Sequence, residues 1–324
     1  LLADSRVWVA LSVGIVAWLP LLAWNASNHD AGLRFQLLER HPWQFHLEGL
    51  GFALIQPMMV TPLLFVLIGL VAWRGSRATD WGVQGRYFAL IGGISTLLIF
   101  VLGFFTDVER ISFHWPLPGY LALLVGAPVV LAAWSRRWQR GVWFTVAAGF
   151  LLGLGYYAMA ASPALRTGLA DNKFYPRNFI GWEPLAQAVR EELAQMPADS
   201  RLLADSFKVG AQLGFQLADA DIAVLPHALN DRHGRTAQLA QWQLLSSGRA
   251  EVPQLLVINP ADQRYRDLLA RYHRICGWVG ALPPPRTVSV DQGRQRFLLL
   301  RLPAGGLDGP CVTPATAWVA TPLP

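Results

Sequence analysis

GLGFALIQPMMVTPLLFVLIGLVAW, residues 49–73, is a run of 25 residues without a charged side chain. Because a helix needs about 20 mainly apolar residues to cross a bilayer core, this run predicts a transmembrane helix. Comparable runs occupy residues 7–24, 87–105, 116–134 and 142–161, and most are flanked by Trp or Tyr, which favour the headgroup region. The sequence therefore predicts a membrane α-helical bundle of about five transmembrane helices within residues 1–162.

Composition and loop charge extend this prediction to the orientation of the bundle. Hydrophobic residues make up 53% of the chain and charged residues 15%, against roughly 25% charged residues in soluble domains. Arginines dominate the segments around residue 6, 74–86 and 135–141, whereas acidic residues outnumber basic ones in loops 25–48 and 106–115. By the positive-inside rule, the first group faces the cytoplasm and the two loops lie outside. Five crossings then place the second half of the chain outside the cytoplasm.

Residues 163–302 have the pattern of a small α/β domain. Apolar strand-like segments at 201–205, 222–225 and 254–259 alternate with helical segments at 183–196, 206–218, 235–247 and 262–272. This alternation predicts a small, mostly parallel sheet covered by helices. Two further strands, separated by Asp291, Gln292 and Gly293, predict a closing hairpin. The tail, residues 303–324, is rich in Pro and Gly and is expected to be irregular.

The remaining sequence signals limit the chemistry. Cys276 and Cys311 both fall in the external half, where they could form a disulfide or leave a buried free thiol at Cys276. No His/Cys cluster has the spacing of a metal site, so no metal ligand is assigned. The net charge of +6 contains no dense basic run, so we expect no nucleic-acid partner.

The two external loops carry the candidate site residues. In the first loop, Arg34 and Arg40 belong either to an interfacial helix with its charged face in water or to a clamp on a phosphate at headgroup level. In the second loop, Pro116 and Pro118 interrupt the start of a helix, which favours a shaped loop that lines a cavity over a plain turn with aromatic anchors. The polar residues that would face this cavity are Asp107, Glu109, Arg110 and His114.

Five segments together resemble a known family. PLLAWNASNHDAGLRFQLLERH (20–41), GFALIQPMMVTPLLF (51–65), SFHWPLPGYLALLVGAP (112–128), LLADSFKVGAQLGFQL (202–217) and LPHALNDRHGRTAQLAQW (225–242) resemble the C-terminal half of bacterial GT-C glycosyltransferases. The similar members are family 39-like enzymes of the protein-mannosyltransferase type, which are related to the lipid A aminoarabinose transferases. The resemblance covers the chain up to about residue 245.

The resemblance implies an enzyme of the bacterial inner membrane with its C-terminal domain in the periplasm. Such an enzyme transfers a sugar from a polyprenyl-phosphate carrier to an acceptor glycan, lipid or protein. It implies no certain cofactor, although a divalent metal is not excluded. The family's essential acidic residue lies in an earlier loop with no match here, so no catalytic base is assigned and the chain is expected to be a fragment that lacks the N-terminal catalytic loop.

The resemblance also implies roles for residues of the two loops. It makes His114 a polar contact to donor phosphate or sugar, Trp115 and Tyr120 walls of the cavity, and Arg34, Arg40 or Arg110 partners of the phosphate. Asp107 and Glu109 would contact sugar hydroxyls.

Other interpretations stay open at this point. A lipid transporter is disfavoured because ionisable residues are nearly absent inside the spans. A membrane-anchored periplasmic binding or assembly protein would need only one or two spans. Within the α/β domain, residues 226–242 either line an acceptor path or form a helix cap with Trp242 in the core. The polar candidates for such a path are Asn230, His233, Arg235 and Gln238.

Overall fold

The structure is a computed structural model, which describes residues 4–41, 43–77, 81–107, 111–168, 175–260 and 265–311. The chain divides into two compact units, residues 1–152 and 153–324. The division falls inside the long helix Arg136–Ala161. Each unit has its own buried core.

The first unit is helical wherever it has regular structure in its described part. Its helices are α1 (Ser5–Ser27), α2 (Ala31–Arg34), α3 (Gly49–Val60), α4 (Pro62–Arg77), α5 (Gly82–Gly103), α6 (Leu117–Leu124), α7 (Ala127–Ala132) and α8 (Arg136–Ala161). A π-helical turn, Phe35–Glu39, follows α2 directly.

Three helices within the described residues, α1, α5 and α8, are long and apolar enough to cross a membrane. They contain 23, 22 and 26 residues, which at about 1.5 Å per residue exceeds the roughly 30 Å of a bilayer core. Large side chains along them, such as Trp18 and Leu152, are exposed. Continuous apolar surface of this extent is unusual on a soluble monomer, so these helices are compatible with a membrane protein.

The predicted helix over residues 49–73 is not one straight helix. It is divided into α3 and α4, which are bent by 109° with respect to each other. The break lies at Thr61, whose φ of 71° is outside the helical region, and at Pro62, which starts α4. Proline has no N–H to donate and disfavours helical backbone at the residue before it, so the helix ends there in spite of its apolar composition.

The predicted helix over residues 116–134 is also divided. It consists of the short helices α6 and α7, separated by a turn at Val125 and Gly126. The ring of Pro128 conflicts with the carbonyl four residues earlier, at Leu124, where α6 ends. Five continuous spans are therefore not confirmed, because three of the five predicted segments are single long helices.

The core of the first unit lies between α4, α6, α7 and α8. Its buried members include Leu67 and Val71 on α4, Leu123 on α6 and Val142 on α8. Helices α5 and α6 approach so closely that a Cβ atom on Gly92 would lie 2.7 Å from the carbonyl oxygen of Gly119. Small residues commonly permit such backbone contact between helices in membranes.

The second unit is an α/β domain, as predicted. After a short helix, α9 (Pro163–Gly168), and a 3₁₀ turn at Arg177–Phe179, its elements are α10 (Trp182–Leu193), β1 (Arg201–Ala204), α11 (Phe207–Leu217), β2 (Ala223–Val224), α12 (Ala228–Arg232), α13 (Arg235–Gln241), β3 (Gln254–Ile258), α14 (Tyr265–Val279), β4 (Arg286–Val290) and β5 (Gln295–Leu302).

The sheet of this unit has the strand order β2-β1-β3-β5-β4 among the described residues. β1 pairs in parallel with β2 and β3, whereas β5 runs antiparallel to β3 and β4. The sheet is therefore mixed, and the prediction of a mostly parallel sheet is wrong. The cause is the predicted hairpin, which the structure confirms: its turn residues Asp291, Gln292 and Gly293 have positive φ and reverse the chain between β4 and β5.

Both faces of the sheet are covered, because alternate strand residues point to opposite sides. Leu202 and Leu255 lie in a core with α10 and α11, whereas Leu203 and Leu256 lie in a core with α14. A disulfide between Cys276 and Cys311 joins α14 to the segment after β5, with 5.9 Å between the two Cα atoms. This pairing resolves the choice that the sequence left open.

A buried arginine stabilises one edge of the sheet. Arg271 on α14 is 1% exposed, and its guanidinium donates to the carbonyl oxygen of Pro226 at 2.7 Å and to that of Asp205. Asp205 follows β1 directly and Pro226 lies two residues after β2, so Arg271 holds the carboxyl ends of the two strands together. Burial lowers the pKa of Arg271 to about 10, partly opposed by the nearby Asp205 carboxylate, so the side chain remains a cation at neutral pH.

Candidate functional site

The two loops that the sequence predicted to be external meet at one end of the first unit. The backbone N–H of His46 donates to the carbonyl oxygen of Phe104 at 3.0 Å, and that of Asp107 donates to the carbonyl oxygen of Arg40 at 3.3 Å. The side-chain amide of Gln56 on α3 donates to the carbonyl oxygen of Phe113 at 3.2 Å. Residues far apart in the sequence therefore share one surface at the ends of apolar helices. We call this surface the loop cluster and define it by residues 40, 41, 43–46, 104–107 and 115.

Arg40 is the cation of the loop cluster. Its guanidinium carbon lies 4.7 Å from the centre of the Trp115 ring, and its Nη1 donates to the side-chain oxygen of Gln36 at 2.9 Å. The π-helical turn places Gln36 and Arg40 on the same side of the helix. A cation over an indole face is attracted by the ring quadrupole, which fixes the plane of the guanidinium. The loop cluster thus holds a positioned positive charge.

Two histidines of the loop cluster hold Thr106 between them. The Nδ1 atom of His41 lies 2.7 Å from the Thr106 hydroxyl, and Nε2 of His46 lies 2.6 Å from the Thr106 carbonyl oxygen. The Thr106 hydroxyl in turn donates to the carbonyl oxygen of Leu102 at 2.8 Å. Because a hydroxyl has one proton, it accepts from His41, so His41 carries its proton on Nδ1.

The tautomer of His41 leaves a lone pair on its Nε2 atom. Burial, followed by the neighbouring charge of Arg40, lowers the pKa of His41 below its usual value of 6.5. The ring is therefore neutral at pH 7 and can accept a hydrogen bond through Nε2. His41 is 8% exposed, and its ring centre lies 6.2 Å from that of Trp115. An acceptor thus lies beside the cation of the loop cluster.

The structure distributes the predicted site residues among several environments. Arg40, Trp115 and the backbone of Asp107 belong to the loop cluster. Arg34 lies in solvent with its side chain 68% exposed and forms a pair with Glu39 at 3.4 Å. Glu109 and Arg110 lie outside the described residues.

Two further predicted residues lie close to the second loop. His114 is exposed, and its Nδ1 atom lies 2.8 Å from the hydroxyl of Ser112. Tyr120 is buried, and its hydroxyl donates to Gln56 at 3.1 Å. Tyr120 thus bonds to Gln56, whose amide also bonds to the second loop at Phe113, whereas the His114 side chain is exposed.

The sequence did not single out Thr106 or the pairing of the two histidines with it. Thr106 is separated from His41 by 65 positions and from His46 by 60, so no local pattern connects them. One signal was available: Thr106 is the first polar residue after the apolar run of α5, and it faces a loop with two histidines five positions apart.

Within the described residues, no group of three or more His, Cys, Asp or Glu side chains is close enough to hold a metal ion. In comparisons with family models, with curated proteins and with solved structures, nothing matches this chain.

Proposed function

We propose that this protein is a membrane glycosyltransferase that takes a sugar from a polyprenyl-phosphate donor and transfers it to an acceptor glycan, lipid or protein. The observation that carries the proposal is Arg40, a cation positioned by Trp115 and Gln36 where two loops meet at the ends of apolar helices. A lipid phosphate presents its negative charge at that level of a bilayer. A guanidinium is suited to it because its fork matches the geometry of phosphate oxygens.

The proposed topology has five crossings of the bacterial inner membrane. The single helices α1, α5 and α8 supply three, and the broken pairs α3–α4 and α6–α7 supply two. The arginine-rich segments then face the cytoplasm, so the loop cluster and the second unit lie on the periplasmic side. Broken helices at membrane depth are tolerated where the freed backbone groups are buried in protein or line a cavity, which supports the use of α3 and α6 beside the site.

The proposed chemistry assigns a role to each group of the loop cluster. The oxygen of the acceptor hydroxyl forms a bond to the anomeric carbon of the sugar and loses its proton to the surrounding water, and the bond from that carbon to the phosphate oxygen breaks. The departing lipid phosphate changes from a singly charged diester to a doubly charged monoester. Arg40 stabilises that growing charge, which is the interaction that accelerates the step.

The other groups orient the substrates. His41 accepts a hydrogen bond from a sugar hydroxyl through Nε2, and Thr106 is a positioning residue that fixes its tautomer. Trp115 keeps the Arg40 guanidinium in place. His114 and Asp107 are the candidate contacts to the donor at the edge of the cluster, whereas Arg34, exposed and paired with Glu39, is not assigned a contact. No catalytic base and no cofactor are assigned.

The proposal is tested by sugar transfer in proteoliposomes. The donors are polyprenyl-phosphate mannose and polyprenyl-phosphate glucose, each radiolabelled in the sugar, and Arg40→Gln is compared with Arg34→Gln. Because the Arg40 variant loses charge-assisted hydrogen bonds, we expect its rate to fall by roughly tenfold to a hundredfold. The Arg34 variant is the matched control, since its side chain is exposed, and its rate should stay near that of the unaltered protein. Equal rates in the two variants would contradict the assignment.

A further inference from the structure

The second unit contains a large groove at the edge of its sheet. The groove has a volume of about 860 Å³ and lies between α11, β2 and α13. Beyond Phe207 at its start, α11 lines the groove with three small residues, Gly210, Ala211 and Gly214. A Cβ atom on Gly210 would lie 2.9 Å from a methyl group of Val224, so a glycine is required where α11 meets β2. The small side chains leave a space of the size that binding sites for small ligands commonly have.

Two polar side chains of α13 lie along the groove with fixed orientations. The Nη1 atom of Arg235 donates to the side-chain oxygen of Gln238 at 2.9 Å, and the guanidinium carbon lies 5.9 Å from the ring centre of Phe207. Phe207 also contacts the ring of His233, at 5.5 Å between centres. The remaining guanidinium donors and the amide nitrogen of Gln238 have no other partner among the described residues. They are available to a ligand.

The groove also has an aromatic wall and two carboxylates. Trp242, directly after α13, is 58% exposed and lines the groove. Asp219 and Asp221 line it as well and are exposed, with the Asp219 carboxylate accepting from the backbone N–H of Asp221 at 2.9 Å. One guanidinium against two carboxylates disfavours an anionic ligand. A neutral ligand with many hydroxyl groups uses both the donors and the acceptors, and its C–H face can lie on the indole ring.

Asn230, which the sequence grouped with these residues, has a structural role instead. It is fully buried, its side-chain oxygen accepts from the backbone N–H of Phe207 at 2.8 Å, and its nitrogen donates to the carbonyl oxygen of Leu225 at 3.0 Å. Asn230 thereby caps α11 and fixes one end of the groove. Asn230 is therefore not a candidate ligand contact, whereas Arg235, Gln238 and Trp242 line the groove.

We propose that the groove between α11 and α13 binds a pyranose unit of a glycan, with its ring face on Trp242 and its hydroxyl groups bonded to Arg235, Gln238 and the two carboxylates. As an identification of the acceptor class, this inference rests on the proposed transfer function. As a binding site, it stands on the groove alone.

The test is saturation-transfer NMR on the full chain in nanodiscs, with methyl α-mannopyranoside, maltotriose and chitotriose as probes. We expect at least one sugar to bind, and Trp242→Ala to weaken its binding by about tenfold, as loss of an aromatic anchor typically does. Ala211→Phe provides a second variant, which fills the groove from the surface of α11 and should also abolish binding. Phe215→Ala is the matched control, because Phe215 is 83% exposed on the same helix and does not line the groove.

Three results would overturn the inference. They are absence of binding by all three sugars, equal binding in the Trp242 and Phe215 variants, and preference for hexyl phosphate over every sugar. No lipid donor takes part in the measurement. Its failure is therefore distinguishable from failure of the transfer function, which is tested at Arg40.

Discussion

Arg271 in the second unit is buried, whereas Arg40 in the first unit is half-buried, and their guanidinium groups contact different kinds of partner. Arg271 donates to the carbonyl oxygens that follow two neighbouring strands, so its contacts are part of the backbone network of the sheet. Arg40 contacts side chains, the ring of Trp115 and the amide of Gln36, on a surface where two loops meet. The difference indicates that the Arg271 cation serves the fold of the sheet, whereas Arg40 is a cation on the surface where the two loops meet.

The largest effect is expected for Arg271→Met. The substitution leaves two buried carbonyl oxygens without donors, which should lower the free energy of unfolding of the second unit by roughly 3–5 kcal/mol. The loss is measured by chemical denaturation, with hydrogen exchange of the β1 and β3 amides as the signal of unfolding. Arg274→Met is the control, since Arg274 lies exposed on the same helix. If both variants unfold at the same denaturant concentration, the hydrogen bonds of Arg271 contribute nothing to the stability of the second unit.

A smaller effect is expected in the first unit at Gly92. A Cβ atom there would lie 2.7 Å from the carbonyl oxygen of Gly119, so Gly92→Ala forces α5 and α6 apart. We expect a loss of about 1–3 kcal/mol, as is typical of overpacking. Gly93→Ala is the matched control because its nearest neighbour, the Cβ atom of Ala72, would lie at 3.4 Å. Thermal unfolding in nanodiscs compares the two, and a lower midpoint for the Gly93 variant would contradict this account of the helix contact.

The smallest effect concerns the pH dependence of stability and comes from His227, a buried histidine of the second unit. Burial, and then the charges of Arg271 and Arg274, lower the pKa of His227 from 6.5 to about 3. The unfolded chain therefore binds a proton below pH 6.5 that the folded unit does not bind, so this histidine's contribution to stability is lost as the pH falls. At pH 5.5 the loss is about 1.4 kcal/mol.

The matched variant for this prediction is His227→Asn. Asparagine keeps an acceptor for the backbone N–H of Leu229, which His227 bonds at 2.9 Å, but it does not titrate. Between pH 7 and 5.5, unfolding of the variant should depend less steeply on pH than unfolding of the unaltered protein. Identical pH dependence would remove His227 from the account.

The sequence predicted those parts of the fold that depend on local pattern. Helices α1, α5 and α8 follow from uninterrupted apolar runs, and the β4–β5 hairpin follows from its turn residues. The prediction of one straight helix over residues 49–73 was wrong. Hydropathy summed along a segment takes no account of the restriction that Pro62 imposes on the backbone of Thr61. The mixed sheet was missed because the partner of β5 is β3, which is distant in the sequence.

The candidate site was predicted only in part, for a similar reason. Arg40 and Trp115 were visible as a cation and an aromatic residue in predicted external loops. Their contact, and the hold of His41 and His46 on Thr106, require two loops about sixty positions apart to meet, which no local pattern contains. The sequence alone therefore pointed to the two loops without supplying these contacts.

The most direct test of the account is the binding of undecaprenyl phosphate to the protein in nanodiscs, measured by native mass spectrometry against undecaprenol. We predict that the protein prefers the phosphate, that Arg40→Gln reduces this preference by about tenfold or more without lowering thermal stability, and that Arg34→Gln leaves it unchanged. Equal binding of phosphate and alcohol by the unaltered protein, or an undiminished preference in the Arg40 variant, would contradict the central claim that the loop cluster is a lipid-phosphate site.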